Sequence, residues 1–222
     1  MAVRKPKIAI GPVGRPRKPA AAKTHRRIAE RIRYKDAFGW TQAVRFATHV
    51  LAKPMTAFVT VQWSVATSST PEPERVSSLL NLISIWLRRR TGGRAVWAYS
   101  REGGLKKGVH LHLLAHVPPI MFDDFAVAVA RWVEASSDTF ARRAVDVQRI
   151  HPPTLDNLLS YFLKEGDDEV HDRLGVRQDH RADRRGYPVP GKRLRVSHAI
   201  DVAARSRHAK PLASVLDTQE RH

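Results

Sequence analysis

The chain has 222 residues, of which 42% are hydrophobic, enough for one domain with a single ordinary core. Lys and Arg outnumber Asp and Glu by 39 to 21, and the formal net charge of +18 at pH 7 favours a polyanion as partner, above all nucleic acid. The chain contains no Cys, which excludes disulfides and thiolate metal sites, so any metal would take imidazole and oxygen ligands.

The first segment, residues 1–23, is rich in Pro, Gly, Ala and basic residues and contains no acidic residue. This composition predicts a disordered basic arm. Within it, the run from Gly14 to Arg17 resembles the core of an AT-hook, in which Arg side chains lie along a narrow minor groove. Arg15 and Arg17 are therefore candidate DNA contacts, either in such a hook or in a plain electrostatic tail.

Residues 24–53 are predicted to be a helical segment in two pieces, with a break near Gly39. Ile28 and Ile32 recur at helical spacing before the break, and Val44 and Leu51 belong to a similar pattern after it.

Residues 54–166 carry the clearest pattern of alternating strands and helices. We predict strands over 55–66, 94–102, 109–117 and 144–150, and helices over 75–90, 121–135 and 154–165. The resulting order is β-α-β-β-α-β-α. It is typical of an α+β fold with a ferredoxin-like split β-α-β antiparallel sheet and one helix appended.

Residues 167–222 have little periodic apolar content and are predicted to form a basic C-terminal extension. Lys192 and Arg193 in this stretch either contact phosphates or are simply solvated. No signal peptide and no long apolar run is apparent, so we expect a cytoplasmic protein with no membrane partner.

A metal site is predicted on the hairpin of the second and third strands. His110 and His112 are separated by one residue, so in a strand both imidazoles face the same side. Glu102 ends the preceding strand, and the hairpin turn would return its carboxylate to the histidines. Two imidazoles and one carboxylate leave positions open for water or a phosphate oxygen and suit Mg²⁺ or Mn²⁺. The alternative interpretation is two half-exposed histidines on a strand.

His116 lies on the same strand face as His112. Four residues at about 3.3 Å each place its Cα about 13 Å away, which is too remote for the same ion. Gln62 on the polar face of the first strand, and Lys106 and Lys107 in the hairpin turn, are candidate DNA contacts.

The last helix of the main segment carries Tyr161 and Lys164, which share one helix face at i and i+3. A tyrosine beside a metal favours nucleophilic cleavage of a phosphodiester backbone. The alternative interpretation is a tyrosine at the edge of the core next to a surface lysine.

The order of these motifs resembles that of the HUH endonucleases, and among them the rolling-circle replication initiators. Residues 58–62 are similar to their first motif, His110 to His112 to the His-hydrophobe-His second motif, and Tyr161 to Lys164 to the third. The resemblance covers roughly residues 55–165. It implies a metal-dependent enzyme that nicks and joins single-stranded or hairpin origin DNA of a plasmid or phage through a 5′-phosphotyrosine on one catalytic tyrosine. A helicase domain does not fit in this length, so the resemblance implies a host helicase and a host DNA polymerase as partners.

Other functions stay open at this point. The same element order serves RNA-recognition modules, so a non-catalytic, basic nucleic-acid-binding protein is the alternative from a different class. Within the enzyme class, a conjugative relaxase or a single-tyrosine transposase is also compatible with the motifs.

Overall fold

The computed structural model describes residues 28–29, 31–104, 108–151, 155–176 and 188–209. The strands in these ranges are β1 (Ile28–Ala29), β2 (Ala57–Gln62), β3 (Ala66–Thr67), β4 (Trp97–Glu102), β5 (His110–Ala115), β6 (Thr139–Phe140), β7 (Val145–Arg149), β8 (Val189–Pro190) and β9 (Leu194–Val196). The helices are α1 (Tyr34–His49), α2 (Glu72–Thr91), α3 (Phe122–Ala135), α4 (Leu155–Phe162), α5 (Asp168–Leu174) and α6 (202–209).

The centre of the fold is a five-stranded sheet with the order β7-β2-β5-β4-β9, in which every neighbouring pair is antiparallel. The α+β class predicted from the sequence is therefore confirmed. Two further pairs of short strands, β1 with β8 and β3 with β6, lie outside this sheet.

One face of the sheet carries a largely apolar core covered by α2 and α3. Val59, Val61 and Leu111 alternate onto this face and are fully buried. The sequence favours α2 locally, because Pro73 lies in its first turn, Glu72 and Glu74 lie near its positive end, and Arg88 to Arg90 lie at its negative end. The helix ends at Gly92, whose φ of 68° is a left-handed conformation that glycine adopts without a steric penalty.

The opposite face is covered by α1, α4 and the C-terminal segment, and it carries the functional residues discussed below. Trp40 of α1 stacks on Phe162 of α4 with ring centroids 5.4 Å apart, and both side chains are buried. Phe162 also contacts Phe58 of β2, at a centroid distance of 5.4 Å. These contacts hold α4 between α1 and the sheet.

The N-terminal prediction is wrong in two respects. The structure shows no break at Gly39, because α1 is one helix from Tyr34 to His49. Ile28, predicted to be helical, lies in β1 and pairs with Pro190. A glycine inside a helix costs only about 1 kcal/mol, and burial of Ala37, Trp40 and Val44 along α1 outweighs that cost.

Two other boundaries differ from the predictions. The first long strand ends at Gln62 rather than Ala66, because residues 63–65 form a 3₁₀ turn. The part of the predicted C-terminal extension that the structure describes is integrated in the domain, since β9 pairs with β4 and Ile200 is fully buried. Within the described ranges, none of the helices has the length and apolarity that crossing a membrane requires.

We expect Phe162→Ala to destabilise the protein by about 3–5 kcal/mol, because it leaves a cavity between α1, α4 and the sheet. Chemical denaturation followed by circular dichroism measures this change. Phe38→Ala is the matched control: Phe38 is 43% exposed on α1, so the same truncation there should change stability little. Equal effects of the two substitutions would contradict the packing described here.

Candidate metal centre and tyrosine site

The register of three strands builds the site. Gln62 of β2, His110 of β5 and Glu102 of β4 lie directly opposite one another in one row across the sheet. The adjacent row on the same face contains Thr60, His112 and Ser100. Because side chains two residues apart share a face, both histidines and the carboxylate converge, as the sequence predicts.

Glu102, His110 and His112 form a compact cluster whose ligand atoms all lie within 4.8 Å of one another. Glu102 Oε2 is 3.2 Å from His110 Nε2 and 3.4 Å from His112 Nε2. Glu102 and His112 are both 2% exposed, and the side chain of His110 is 14% exposed. The cluster is therefore buried, with access from the His110 side.

The second carboxylate oxygen, Glu102 Oε1, is buried and has no hydrogen-bond partner within the described residues. A buried anionic oxygen without a partner is energetically costly. Two imidazoles and the Glu102 carboxylate form a donor set suited to a divalent cation, so the residues present fit a metal ion.

Lys164 supplies a positive charge at the same carboxylate. Its Nζ lies 2.8 Å from Glu102 Oε2, and its side chain is only 10% exposed. Burial alone would raise the pKa of Glu102, but the hydrogen bonds from His110 and His112 and the charge of Lys164 reverse this, so that the net shift is downward. Glu102 is thus held as an anion.

The protonation of His112 follows from its burial. Loss of water around the ring lowers the pKa of His112 below its usual value, although the neighbouring Glu102 acts in the opposite direction. A neutral imidazole is the form that ligates a metal, so at neutral pH no proton has to leave this ring before an ion binds.

Tyr161 lies at the mouth of the cluster. Its hydroxyl is 3.5 Å from His112 Nε2, and Lys164 Nζ is 3.5 Å from the centroid of its ring. The side chain is 42% exposed, so a large substrate can reach it. The predicted convergence of Tyr161, Lys164 and the histidine pair is present in the structure.

Two contacts fix the end of α4 that carries Tyr161. Ser100 Oγ, in the same row as His112, donates a 3.2 Å hydrogen bond to the carbonyl oxygen of Phe162. One helical turn further, Glu165 forms a buried ion pair with Arg193. The side chains of Tyr161 and Lys164 therefore project from a backbone that is tied to the sheet.

Thr60 is a site residue that the sequence analysis did not single out. Its Oγ1 lies 3.1 Å from His112 Nδ1. With an ion bound in place of the hydrogen bond to Glu102, Nδ1 would donate its proton to this hydroxyl and leave the lone pair of Nε2 for the ion. The alternation of Phe58, Thr60 and Gln62 on the polar face was the available signal, but only strand pairing shows which histidine Thr60 meets.

The other predicted residues fall into three groups. Arg15, Arg17, Lys106 and Lys107 lie outside the described residues. Lys192 is exposed, and Gln62 Nε2 donates to Ser64 Oγ at 3.3 Å. Arg193 is a correction: it is 4% exposed and its guanidinium pairs with Glu165, so it is neither solvated nor positioned to contact phosphate.

His116 is remote from the cluster, as expected, and its Nδ1 contacts the carbonyl oxygen of Pro54 at 2.8 Å.

Comparison of the chain with models of known protein families and with curated proteins finds no match. The interpretation of this site therefore depends on its geometry.

We expect Glu102→Gln to abolish binding of Mn²⁺ to the protein. The substitution removes the only anionic ligand of the cluster and replaces it with an amide of the same shape, as isothermal titration calorimetry would show. Glu134→Gln, an exposed position on α3, removes the same charge elsewhere and should bind Mn²⁺ like the parent protein. Unchanged binding by the Glu102 variant would rule out the cluster as the metal site.

We expect Thr60→Val to weaken Mn²⁺ binding by about 10–100-fold, the usual effect of losing the partner that orients a metal-binding histidine. Thr60→Ser retains the hydroxyl and should restore most of the affinity. The two variants are compared by the same calorimetric titration, with melting temperature as a check on folding. Equal affinities of the Val and Ser variants would contradict a positioning role of the hydroxyl.

Proposed function

We propose that this protein is a metal-dependent enzyme that nicks and rejoins single-stranded DNA through a covalent phosphotyrosine, of the HUH type. The observation that carries the proposal is the exposed Tyr161 hydroxyl 3.5 Å from His112 Nε2, at the edge of a buried Glu-His-His cluster. A nucleophile on the rim of a metal-binding group is the arrangement that phosphodiester cleavage by a side chain requires.

Glu102, His110 and His112 would hold the ion, for which we propose Mg²⁺ or Mn²⁺. When bound, the ion would polarise the scissile phosphate and offset the negative charge that develops on its oxygens. The unpartnered Glu102 Oε1 supports this assignment. The protein's own contribution is a rigid ligand set, because all three ligands belong to one antiparallel hairpin.

In the proposed reaction, the Tyr161 oxygen forms a bond to phosphorus while the bond from phosphorus to the 3′ oxygen breaks. The phenolic proton passes to solvent, which reaches the 42% exposed side chain, and the departing 3′ oxygen takes a proton from water. The products are a 5′-phosphotyrosine and a free 3′ hydroxyl. Since the phosphodiester is conserved, the reverse reaction rejoins the strand without ATP.

Lys164 contacts both the proposed nucleophile, Tyr161, and the metal-binding carboxylate of Glu102. It lies 3.5 Å from the centroid of the Tyr161 ring and 2.8 Å from Glu102 Oε2. The ammonium lies over the face of the Tyr161 ring in a cation–π contact, which holds the ring in place. Because it contacts both the ring and Glu102, we assign Lys164 as a positioning residue that keeps the nucleophile beside the metal-binding cluster.

The architecture and the charge support the same proposal. The order β7-β2-β5-β4 of the sheet supports a ferredoxin-like split β-α-β arrangement, and the three metal ligands lie on its adjacent strands β4 and β5. The net charge of +18 provides salt-dependent affinity for a DNA backbone. We further propose that the nick serves rolling-circle replication of a plasmid or phage, with a host helicase and polymerase. A relaxase or transposase would use the same chemistry.

A non-catalytic module of the RNA-recognition type fits the structure less well. Such modules stack bases on aromatic side chains of an open sheet face. Here the aromatic side chains of β4, Trp97 and Tyr99, are only 8% and 4% exposed. Helices cover both faces of the sheet. The covered sheet therefore favours the enzyme over the binding module.

We expect the parent protein, incubated with single-stranded origin DNA and Mn²⁺, to form a covalent protein–DNA adduct visible as a shifted band on a denaturing gel. Tyr161→Phe should form none, because it lacks only the attacking oxygen. Tyr34→Phe, on α1, is the matched control and should form the adduct normally.

Chelation of divalent ions should abolish adduct formation by the parent protein and leave reversible DNA binding intact. An adduct that persists in the Tyr161 variant would overturn the assigned nucleophile. Binding without any adduct under all metal conditions would favour the non-catalytic module instead.

A further inference from the structure

A second concave site lies on the functional face of the sheet, at the opposite end from the metal cluster. It is a cavity of about 500 Å³ between the loop after α1, the loop before β4 and helix α6. Its volume is in the range of pockets that hold small ligands or single nucleotides. The residues that line it include Lys53, Arg94, Arg207 and His208.

The lining combines positive charge with an apolar floor. Lys53, Arg94 and Arg207 come from three different elements, whereas Leu51 and Val96 belong to the floor. The lining contains no carboxylate. In the part of the chain that the structure describes, none of these three cations forms a salt bridge. Arg207 interacts at longer range with Asp201, which precedes α6, and Lys53 and Arg94 add positive charge without a carboxylate in the lining.

Hydrogen bonds and one aromatic contact hold helix α6 against α1 at the edge of the cavity. Asp201 immediately precedes helix α6 and caps it, because its Oδ1 accepts a 2.8 Å hydrogen bond from the amide of Ala204. Arg205 of the same helix donates to the carbonyl oxygen of Gly39 in α1 at 2.9 Å. Further along, the His208 ring packs edge-on against Phe46 of α1, with centroids 5.3 Å apart. The cavity is thus a built feature of the fold.

The cavity and the metal cluster are related through one strand. Val96 immediately precedes β4 and packs in the same apolar cluster as Ala98, while Glu102 ends β4. Alternate residues share a face, so Val96 and Glu102 lie on the same side of the sheet. Six residues at about 3.3 Å each separate them by about 20 Å. A strand stacked at about 3.4 Å per nucleotide spans this distance with about six nucleotides.

We propose that this cavity binds a nucleotide of the single-stranded DNA substrate, several nucleotides from the cleaved bond. Arg94, Arg207 and Lys53 would pair with backbone phosphate, and the floor of Leu51 and Val96 would contact the sugar or base. The choice of DNA as ligand rests on the proposed function, whereas the anion-binding character rests on the cavity alone. Holding the strand at two separated points would align its backbone with Tyr161.

The test measures reversible DNA binding in the presence of a chelator, so that it does not depend on nicking. A fluorescent single strand of about 20 nucleotides, longer than the roughly 4–16 nucleotides that an OB-fold covers, is titrated with full-length protein by anisotropy at several salt concentrations. We expect the double variant Arg94→Gln/Arg207→Gln to bind more weakly. The slope of log affinity against log salt should fall by about 1.4 in magnitude, the value for two lost phosphate contacts.

Two controls separate this site from general charge. Arg88→Gln/Arg131→Gln removes two exposed arginines from α2 and α3 on the other side of the sheet, and should retain the parent slope. Arg94→Lys/Arg207→Lys retains both charges and should restore binding. Melting temperatures confirm that the variants fold.

The proposal would be overturned if the Arg94→Gln/Arg207→Gln variant bound DNA as tightly as the parent. It would also be overturned if the control variant in α2 and α3 lost as much DNA affinity as the cavity variant. A third result would also overturn it: inorganic phosphate that binds the parent and not the cavity variant, with DNA affinity unchanged, would assign the cavity to a free anion. These results are independent of covalent adduct formation, so failure of the cavity proposal and failure of the nicking proposal can be told apart.

Discussion

The buried carboxylate of Glu102 is the constraint on which the arrangement of the site depends. A carboxylate that is 2% exposed must be compensated by nearby donors or cations, because water no longer solvates it. Two histidines and Lys164 surround one of its oxygens, and the other oxygen has no partner in the described part of the chain. One carboxylate oxygen is therefore compensated by its neighbours, whereas the other is buried without compensation among the described residues.

This compensation links distant parts of the chain. The histidines reach Glu102 through the pairing of β4 with β5, whereas Lys164 reaches it from the turn that follows α4. Whatever positions Lys164 also positions Tyr161, because the two side chains lie three residues apart. The hydrogen bond from Ser100 and the buried pair of Glu165 with Arg193 therefore serve the site although they do not line it.

The two faces of the sheet differ in the side chains they carry: one is mainly packed core, and the other carries the candidate site. The face under α2 and α3 is packed around Val59, Val61 and Leu111, and the buried ion pair of Arg101 with Glu72 closes one end of it. The other face carries Phe58, Thr60 and His112 on the same strands. Because side chains alternate along a strand, a rigid core and a reactive surface can be built from adjacent residues. The basic cavity near Val96 extends the functional face to its far end.

The sequence by itself determined much of the fold and most of the site. The period-2 and period-3.6 patterns predicted the four strands and three helices of residues 55–165. The alternation in β2 reflects one buried face, whereas β4 and β5 are buried along almost their whole length. The spacing of His110 and His112, with Glu102 across a hairpin, predicted the cluster from local geometry alone. The element boundaries near Gly39 and Gln62 were not predictable, since helix packing and a 3₁₀ turn override local propensity there.

Only the tertiary structure decided which residues meet across the fold. Thr60 faces His112 because β2 pairs with β5 in one particular register, and a shift of one residue would turn Thr60 to the other face. Arg193 is an internal partner of Glu165 because β9 joins the sheet beside β4, although its basic surroundings in the sequence suggested a surface residue. Contacts between residues far apart in the chain depend on strand pairing and on packing, which local sequence patterns do not encode.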